Sequence, residues 1–173
     1  MDAIRKILAP TDLSDLSLVG VRRALSMAAA AGAEVIVYHV ITHEEVSARY
    51  RVQIEMTAQH KPSDPGADLV ADRKGLLTDF LKENLGELSS GIKIRKEVDI
   101  GIPHKRIVEK AAEEGADLIV MSTHGRSGLL HMLIGSVTER VVRRASCPVL
   151  SIHPGKEAEP ARPLAGRDLM TEN

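Results

Sequence analysis

The stretch ADLIVMSTHGRSGLLHMLIGSVT, residues 116–138, decides the fold. It opens with the apolar run Leu118–Met121, which is typical of a strand buried on both faces, and the run stops at a polar turn containing Gly125. Ser136 and Glu139 have the spacing of a capping box, which predicts a helix beginning at Gly135 or Ser136. Because the first turn of a helix presents backbone N–H groups without intrahelical acceptors, it attracts anions. The stretch therefore predicts an anion-binding site at the carboxyl end of a strand.

Strand and helix patterns alternate along the rest of the chain. The predicted strands are residues 4–9, 34–41, 92–100, 118–121 and 148–152. The predicted helices run from Asp12 or Ser14, as N-cap, to Ala31, then over 67–85, 103–114 and 136–145, with a short additional helix after residue 43 and a loop at 60–66. Alternation of this kind predicts an α/β fold with a parallel sheet covered by helices on both faces. Charged residues alternate with apolar ones over 92–100, so this strand is expected near an edge of the sheet.

Length and composition indicate one compact domain over residues 1–153, followed by a proline- and charge-rich tail, 154–173, that is expected to be disordered. The net charge is −1 and aromatic residues make up 2% of the chain, so nucleic acid and anionic membranes are not expected partners. Cys147 is the only cysteine, and the seven histidines show no ligand spacing backed by carboxylates, so no metal site of their own is expected. With no secretory signal or membrane span recognised, we expect a cytoplasmic protein.

The common nucleotide and hydrolase motifs are missing. No two of the thirteen glycines are two positions apart, so the dinucleotide fingerprint G-x-G-x-x-G does not occur. The P-loop motif, G-x-S-x-G and H-E-x-x-H do not occur either. Nothing in the sequence predicts covalent catalysis.

The spacing of Gly125, nine residues, and Gly135-Ser136 resembles the nucleotide-binding signature of the universal stress protein family, which reads Gly, two residues, Gly, nine residues, Gly, and Ser or Thr. Ser122 stands where that signature has its first glycine. The resemblance covers roughly residues 1–153 and implies the strand order 3-2-1-4-5. This order would place the exits of strands 1 and 4 at one crevice, where ligands of open parallel sheets bind.

The resemblance and the crevice together predict a site for an adenine nucleotide. In the family, the residue matching Asp12 reaches the adenine and ribose, and the one matching Val40 packs beside the adenine. Helix capping for Asp12 and sheet packing for Val40 are equally good interpretations. The predicted site residues are Pro10, Thr11, Asp12, Val40, Met121, Ser122, His124, Gly125, Arg126, Gly135, Ser136, Val137 and Thr138.

The resemblance implies an ATP-binding universal stress protein that acts as a nucleotide-dependent regulator, with AMP or ADP left open as ligands and Mg²⁺ carried by the phosphates. No positioned general base is recognisable, so any ATP hydrolysis is expected to be slow. The family pairs its last strand across a two-fold axis, which implies a homodimer through Pro148–Ile152. Two alternatives stay open: an interaction module that binds no nucleotide, and an adenylyl-transferring enzyme.

Overall fold

The fold is known from a computed structural model, which describes residues 3–56, 65–86, 88–123 and 135–153. The strands are β1 (Lys6–Pro10), β2 (Glu34–Ile41), β3 (Ile94–Ile100), β4 (Leu118–Ser122) and β5 (Val149–Ile152). The helices are α1 (Asp15–Ala31), α2 (His43–Met56), α3 (Pro65–Leu85), α4 (Pro103–Glu114) and α5 (Ser136–Val142). All five strands are parallel, in the order β3-β2-β1-β4-β5. The predicted α/β class and strand order are confirmed.

Helices cover both faces of the sheet, and the period-two pattern of the strands divides the core accordingly. Ile7 of β1 and Val35 of β2 pack with the apolar residues of α1 and α3. Leu8 and Ile36, their chain neighbours, pack on the opposite face with Ile107 of α4 and residues of α5. Because successive side chains of a strand point to opposite faces, a buried parallel strand needs apolar residues at nearly every position. β1, β2 and β4 have this composition.

Helix ends follow the local sequence signals. Ser14 is the N-cap of α1, and its Oγ accepts a hydrogen bond from the Ser17 N–H at 3.2 Å. Gly32 and Gly115 end α1 and α4 in the left-handed conformation, which glycine adopts without steric cost. Pro103 begins α4, as predicted. The question of which residue caps α1 is settled in favour of Ser14.

Several predicted boundaries differ from the observed ones. β3 begins at Ile94 and β5 at Val149, two residues and one residue later than predicted, and α5 ends at Val142. The loop predicted at 60–66 lies mostly outside the described residues, and its Pro65 and Gly66 form the start of α3. Proline is favoured at this position because its missing N–H is not needed in the first helical turn. None of the helices in the described part of the chain has the length and apolar character that crossing a membrane requires.

Candidate functional site

A cavity of about 270 Å³ lies at the carboxyl ends of β1, β2 and β4, where α1 and α5 leave the sheet toward opposite faces. Parallel sheets offer ligands a crevice at this switch point, because the loops following neighbouring strands diverge there. The predicted site residues that line the cavity are Pro10, Thr11, Asp12, Val40, Met121, Ser122, Gly135, Ser136, Val137 and Thr138. His124, Gly125 and Arg126 lie outside the described residues.

The exit of β1 is held by a network of short hydrogen bonds. The Thr11 N–H donates to the Tyr38 carbonyl at 2.9 Å, which extends the pairing of β1 with β2 by one residue. The hydroxyls of Thr11 and Ser17 lie 2.8 Å apart, so the exit is also tied to the first turn of α1. Asp12 Oδ1 accepts hydrogen bonds from the N–H and the hydroxyl of Ser14, at 3.1 and 2.6 Å. Asp12 therefore orders the turn that precedes α1 while it lines the cavity.

The start of α5 is joined to the end of β4 by two hydrogen bonds. Thr138 Oγ1 donates to the Ser122 carbonyl at 2.9 Å, and the Gly135 N–H donates to the Thr123 carbonyl at 2.7 Å. Thr138 and Ser122 are 3% and 5% exposed, so the first of these bonds is shielded from water. These bonds place the first turn of α5 at the cavity wall beside the exit of β4.

The predicted capping box of α5 is wrong. Gly135 is the N-cap, in an extended conformation (φ −66°, ψ 150°), and Ser136 is the first helical residue. The N-cap Gly135 makes no side-chain cap hydrogen bond, and the Glu139 carboxylate pairs with Arg143 at 3.0 Å. The predicted start of the helix, at Gly135 or Ser136, is nevertheless confirmed, and the Gly135 N–H anchors this start by donating to the Thr123 carbonyl.

Several residues of the cavity wall escaped the sequence prediction: Ser17, Tyr38, His39, Thr42, Glu45, Pro103, Ile107 and Thr123. A signal was available for Thr42 and Glu45, which have the S/T-x-x-E spacing. They form a true capping box at the start of α2: Glu45 N–H donates to Thr42 Oγ1 at 3.2 Å, and Thr42 N–H donates to Glu45 Oε2 at 2.9 Å. Glu45 Oε1 also accepts from Arg73 of α3 at 3.2 Å, so this part of the wall is fixed by α2 and α3 together.

Tyr38 connects the floor of the cavity with a network of charges on β3 and α4. Its hydroxyl donates to Asp99 Oδ2 at 2.8 Å, and Arg106 binds the same oxygen at 2.9 Å. Lys110 Nζ lies 5.6 Å from the centre of the Tyr38 ring, within range of a cation–π contact. These contacts hold the ring in one orientation beneath the cavity.

The pKa values of this network follow from burial and charge. Burial first, and then the hydrogen bond to Asp99, raise the pKa of Tyr38 above its ordinary value. Burial alone would raise the pKa of Asp99, but the hydrogen bonds from Tyr38 and Arg106 and the charge of Lys110 outweigh it, so the pKa of Asp99 is lowered. Tyr38 is therefore protonated and Asp99 ionised at neutral pH.

The wall combines apolar and polar surfaces. Val40, Ile107 and Met121 supply apolar area from three different elements. Residues with hydroxyl groups line the cavity at the exits of β1 and β4 and in α1. The first turn of α5, whose N–H groups have no intrahelical acceptors, lines it as well. Within residues 3–56, 65–86, 88–123 and 135–153, no group of three or more His, Cys, Asp or Glu side chains is arranged to hold a metal ion. The fold and this cavity define a doubly wound α/β protein with a crevice at its topological switch point, the position at which ligands of such sheets bind.

Comparison with known proteins identifies the family. The model of the universal stress protein family matches residues 3–153. Universal stress protein MJ0531 of Methanocaldococcus jannaschii is 35% identical over 88% of this chain and 84% of its own. Universal stress protein MJ0577 of the same organism is 30% identical over 86% of this chain and 94% of its own, and its solved structure superposes with a TM-score of 0.68. A universal stress protein solved in complex with cAMP superposes with a TM-score of 0.57, at 27% identity, over 88% of this chain and 99% of its own. The chain belongs to the universal stress protein family.

Proposed function

We propose that this protein binds an adenine nucleotide, ATP in particular, in the cavity at the β1 and β4 exits and acts as a nucleotide-dependent regulator. The observation that carries the proposal is the composition of the wall, which joins apolar residues for a base to hydroxyl-bearing residues and the first turn of α5 for ribose and phosphate. A related structure contains cAMP, which supports an adenine nucleotide over other anions.

The two ends of the ligand fit different parts of the wall. We place the base against Val40, Ile107 and Met121, because a flat heterocycle is stabilised by apolar contact on its faces. We place the phosphates at the first turn of α5, because Ser136 and Val137 line the cavity and the N–H groups of a first helical turn have no intrahelical acceptors. The cavity volume of about 270 Å³ is close to the lower end of the range for small-molecule pockets, roughly 300–1,000 Å³.

Mg²⁺ would accompany ATP mainly through phosphate oxygens and water, since it retains much of its hydration when it binds proteins. The carboxylates of the described wall are those of Asp12 and Glu45. Asp12 accepts a hydrogen bond from Ser14, and Glu45 accepts one from Thr42 and pairs with Arg73. These carboxylates therefore fit a Mg²⁺ ion that is held mainly by the phosphates and water.

His39 at the cavity wall is also engaged, since its Nδ1 lies within hydrogen-bond distance of the Thr11 carbonyl oxygen, at 2.9 Å. We therefore propose slow hydrolysis at most.

We propose that the active form is a cytoplasmic homodimer joined through β5. On its inner side β5 pairs with β4, and in the described part of the chain no strand pairs with its outer edge. Leu150 of β5 is 37% exposed, and such an apolar edge favours pairing with a second chain. The same exposed edge supports the second candidate function, an interaction module that needs no nucleotide.

The test is a direct measurement of binding. Mass spectrometry of small molecules released from the purified, denatured protein should detect an adenine nucleotide. Calorimetry with ATP, ADP, AMP and cAMP should give at least one micromolar dissociation constant, equivalent to about 8 kcal/mol. If none of them produced heat at millimolar concentration, nucleotide binding would be refuted and the interaction module favoured. Formation of an adenylylated product with a trial acceptor would instead point to a transferase.

A further inference from the structure

We infer that Gly20, which does not line the cavity, positions the cavity wall that faces the phosphates. Gly20 lies in the second turn of α1 and is buried against β4. The inference rests on the proposed nucleotide site, and it assigns a binding role to a residue of the helix on the opposite face of the sheet from α5.

The contact between α1 and β4 leaves no room for a side chain. A Cβ atom at residue 20 would lie 2.7 Å from the Ser122 nitrogen and 2.9 Å from the Met121 carbonyl carbon. Real Cβ atoms are essentially never found so close to other heavy atoms. Both neighbours are backbone atoms of a paired central strand, so no side-chain rotation could relieve the clash. A methyl group at this position must displace either α1 or the end of β4.

The helix is the harder of the two to displace. Its first turn is tied to the exit of β1 through the hydroxyls of Ser17 and Thr11, 2.8 Å apart. On either side of Gly20 it packs Leu18, Val21 and Leu25 into the core, and Val21 and Leu25 have no exposed surface. Close-packed interiors transmit such strain instead of absorbing it. The pairing of β4 with β1 covers only Leu118 and Ile119, whereas Met121 and Ser122 pair with β5 alone. The methyl group is therefore expected to move this end of β4.

The end of β4 is also the anchor of α5. The Ser122 carbonyl accepts from Thr138, and the Thr123 carbonyl accepts from Gly135. Moving residues 122 and 123 would therefore shift the first turn of α5, and with it the N–H groups placed at the phosphates. Of the three residues where we place the base, Val40 and Ile107 belong to other elements and would stay in position. Met121 lies in the displaced end of β4, so adenosine should lose some affinity, but less than ATP. The expected signature is a larger loss of affinity for ligands that carry phosphate.

Gly75 provides a matched control within the same chain. It also lies inside a helix, α3, but a Cβ atom there would have nothing within 4 Å. Because alanine is the better helix former, Gly75→Ala should raise the melting temperature and leave binding unchanged. Val21→Ala is the control for lost stability, since it opens space between α1 and the sheet without pushing on β4.

The experiment compares ATP and adenosine affinities by calorimetry, well below the melting temperature, for the wild type, Gly20→Ala, Gly75→Ala and Val21→Ala. For Gly20→Ala we expect the melting temperature to fall by several degrees and the preference for ATP over adenosine to drop about tenfold or more, the equivalent of about 1.4 kcal/mol. Val21→Ala should lose stability and keep the wild-type preference.

An unchanged preference in folded Gly20→Ala would overturn the inference and leave the proposed site intact. A wild-type protein that binds neither ligand would instead refute the proposed function itself. If Gly20→Ala did not fold, Thr138→Val would test the next contact in the same chain, because it removes the hydrogen bond to Ser122 without touching α1. A wild-type preference in Thr138→Val would then overturn the inference, and a reduced preference would support it.

Discussion

Replacing Ser136 by proline removes a single backbone N–H from the cavity wall and tests the proposed phosphate contact directly. Ser136 is the first residue of α5, the helical position that proline favours. The preceding Gly135 has φ −66° and ψ 150°, the extended conformation that a residue before proline requires. The substitution is therefore compatible with the backbone on both sides, and α5 should persist.

The expected loss follows from the contact that is removed. A hydrogen bond from an amide to a charged group contributes about 1.5–3 kcal/mol, so Ser136→Pro should weaken ATP roughly ten- to a hundredfold. Adenosine has no phosphate and should bind as it does to the wild type. AMP should lose affinity as ATP does, if its single phosphate occupies the first turn of α5.

Calorimetry with all three ligands measures these differences, and Ser136→Ala is the matched control. Alanine keeps the N–H group, and because the Ser136 side chain makes no cap hydrogen bond, its loss should change stability by less than about 0.5 kcal/mol. Equal weakening of ATP and adenosine by Ser136→Pro, or undiminished ATP binding, would show that the phosphates do not contact this N–H.

Three further predictions concern other parts of the molecule. Ser122→Gly removes a buried hydroxymethyl group from the wall and should strengthen ATP binding in the same titration; weaker binding would mean that the hydroxyl contacts the ligand. Tyr38→Phe should lower the free energy of unfolding by about 1.5 kcal/mol at pH 7. The pKa of Asp99 is lowered in the folded state, so the ionised carboxylate stabilises the fold above its unfolded-state pKa, and this contribution is lost as the pH falls through the folded-state pKa. In urea titrations, the difference in unfolding free energy between the wild type and Tyr38→Phe should therefore shrink below about pH 4. Val149→Lys with Leu150→Asp should yield a monomer in sedimentation at tens of micromolar; an unchanged dimer would place the interface elsewhere.

Local sequence signals were sufficient for the elements of the fold. The apolar runs of β1, β2 and β4 mark buried strands because both faces of each strand are covered. Gly32, Gly115 and Pro103 mark helix ends because each meets a backbone requirement that does not depend on distant residues. The alternating charges of β3 correctly predict an edge strand.

Capping shows the limit of these signals. Thr42 and Glu45, and Ser136 and Glu139, have the same spacing, yet only the first pair forms a capping box. Thr42 directly follows β2, and its own N–H reaches the Glu45 carboxylate. The approach to α5 is instead fixed by the bond from Gly135 to Thr123, which lies twelve residues earlier in the chain. The spacing of two residues shows which capping hydrogen bonds a helix start could form, and the tertiary contacts around that start decide which ones form.

The sequence by itself determined the strands and helices, the parallel α/β class, and the turns after β1 and β4 as the places where chemistry is concentrated. Helical and strand periodicity carry no information on the spatial order of strands, so that order was expected only from the family resemblance. The full set of residues that line the cavity was decided only by the tertiary structure. Strand order brings the carboxyl ends of β1, β2 and β4 to one edge, and the cavity then gathers residues as far apart in the chain as Ser17, Glu45 and Ile107. The role of Gly20 is of the same kind, since the requirement for glycine comes from the backbone of β4, about a hundred residues away in sequence but in direct contact in the fold.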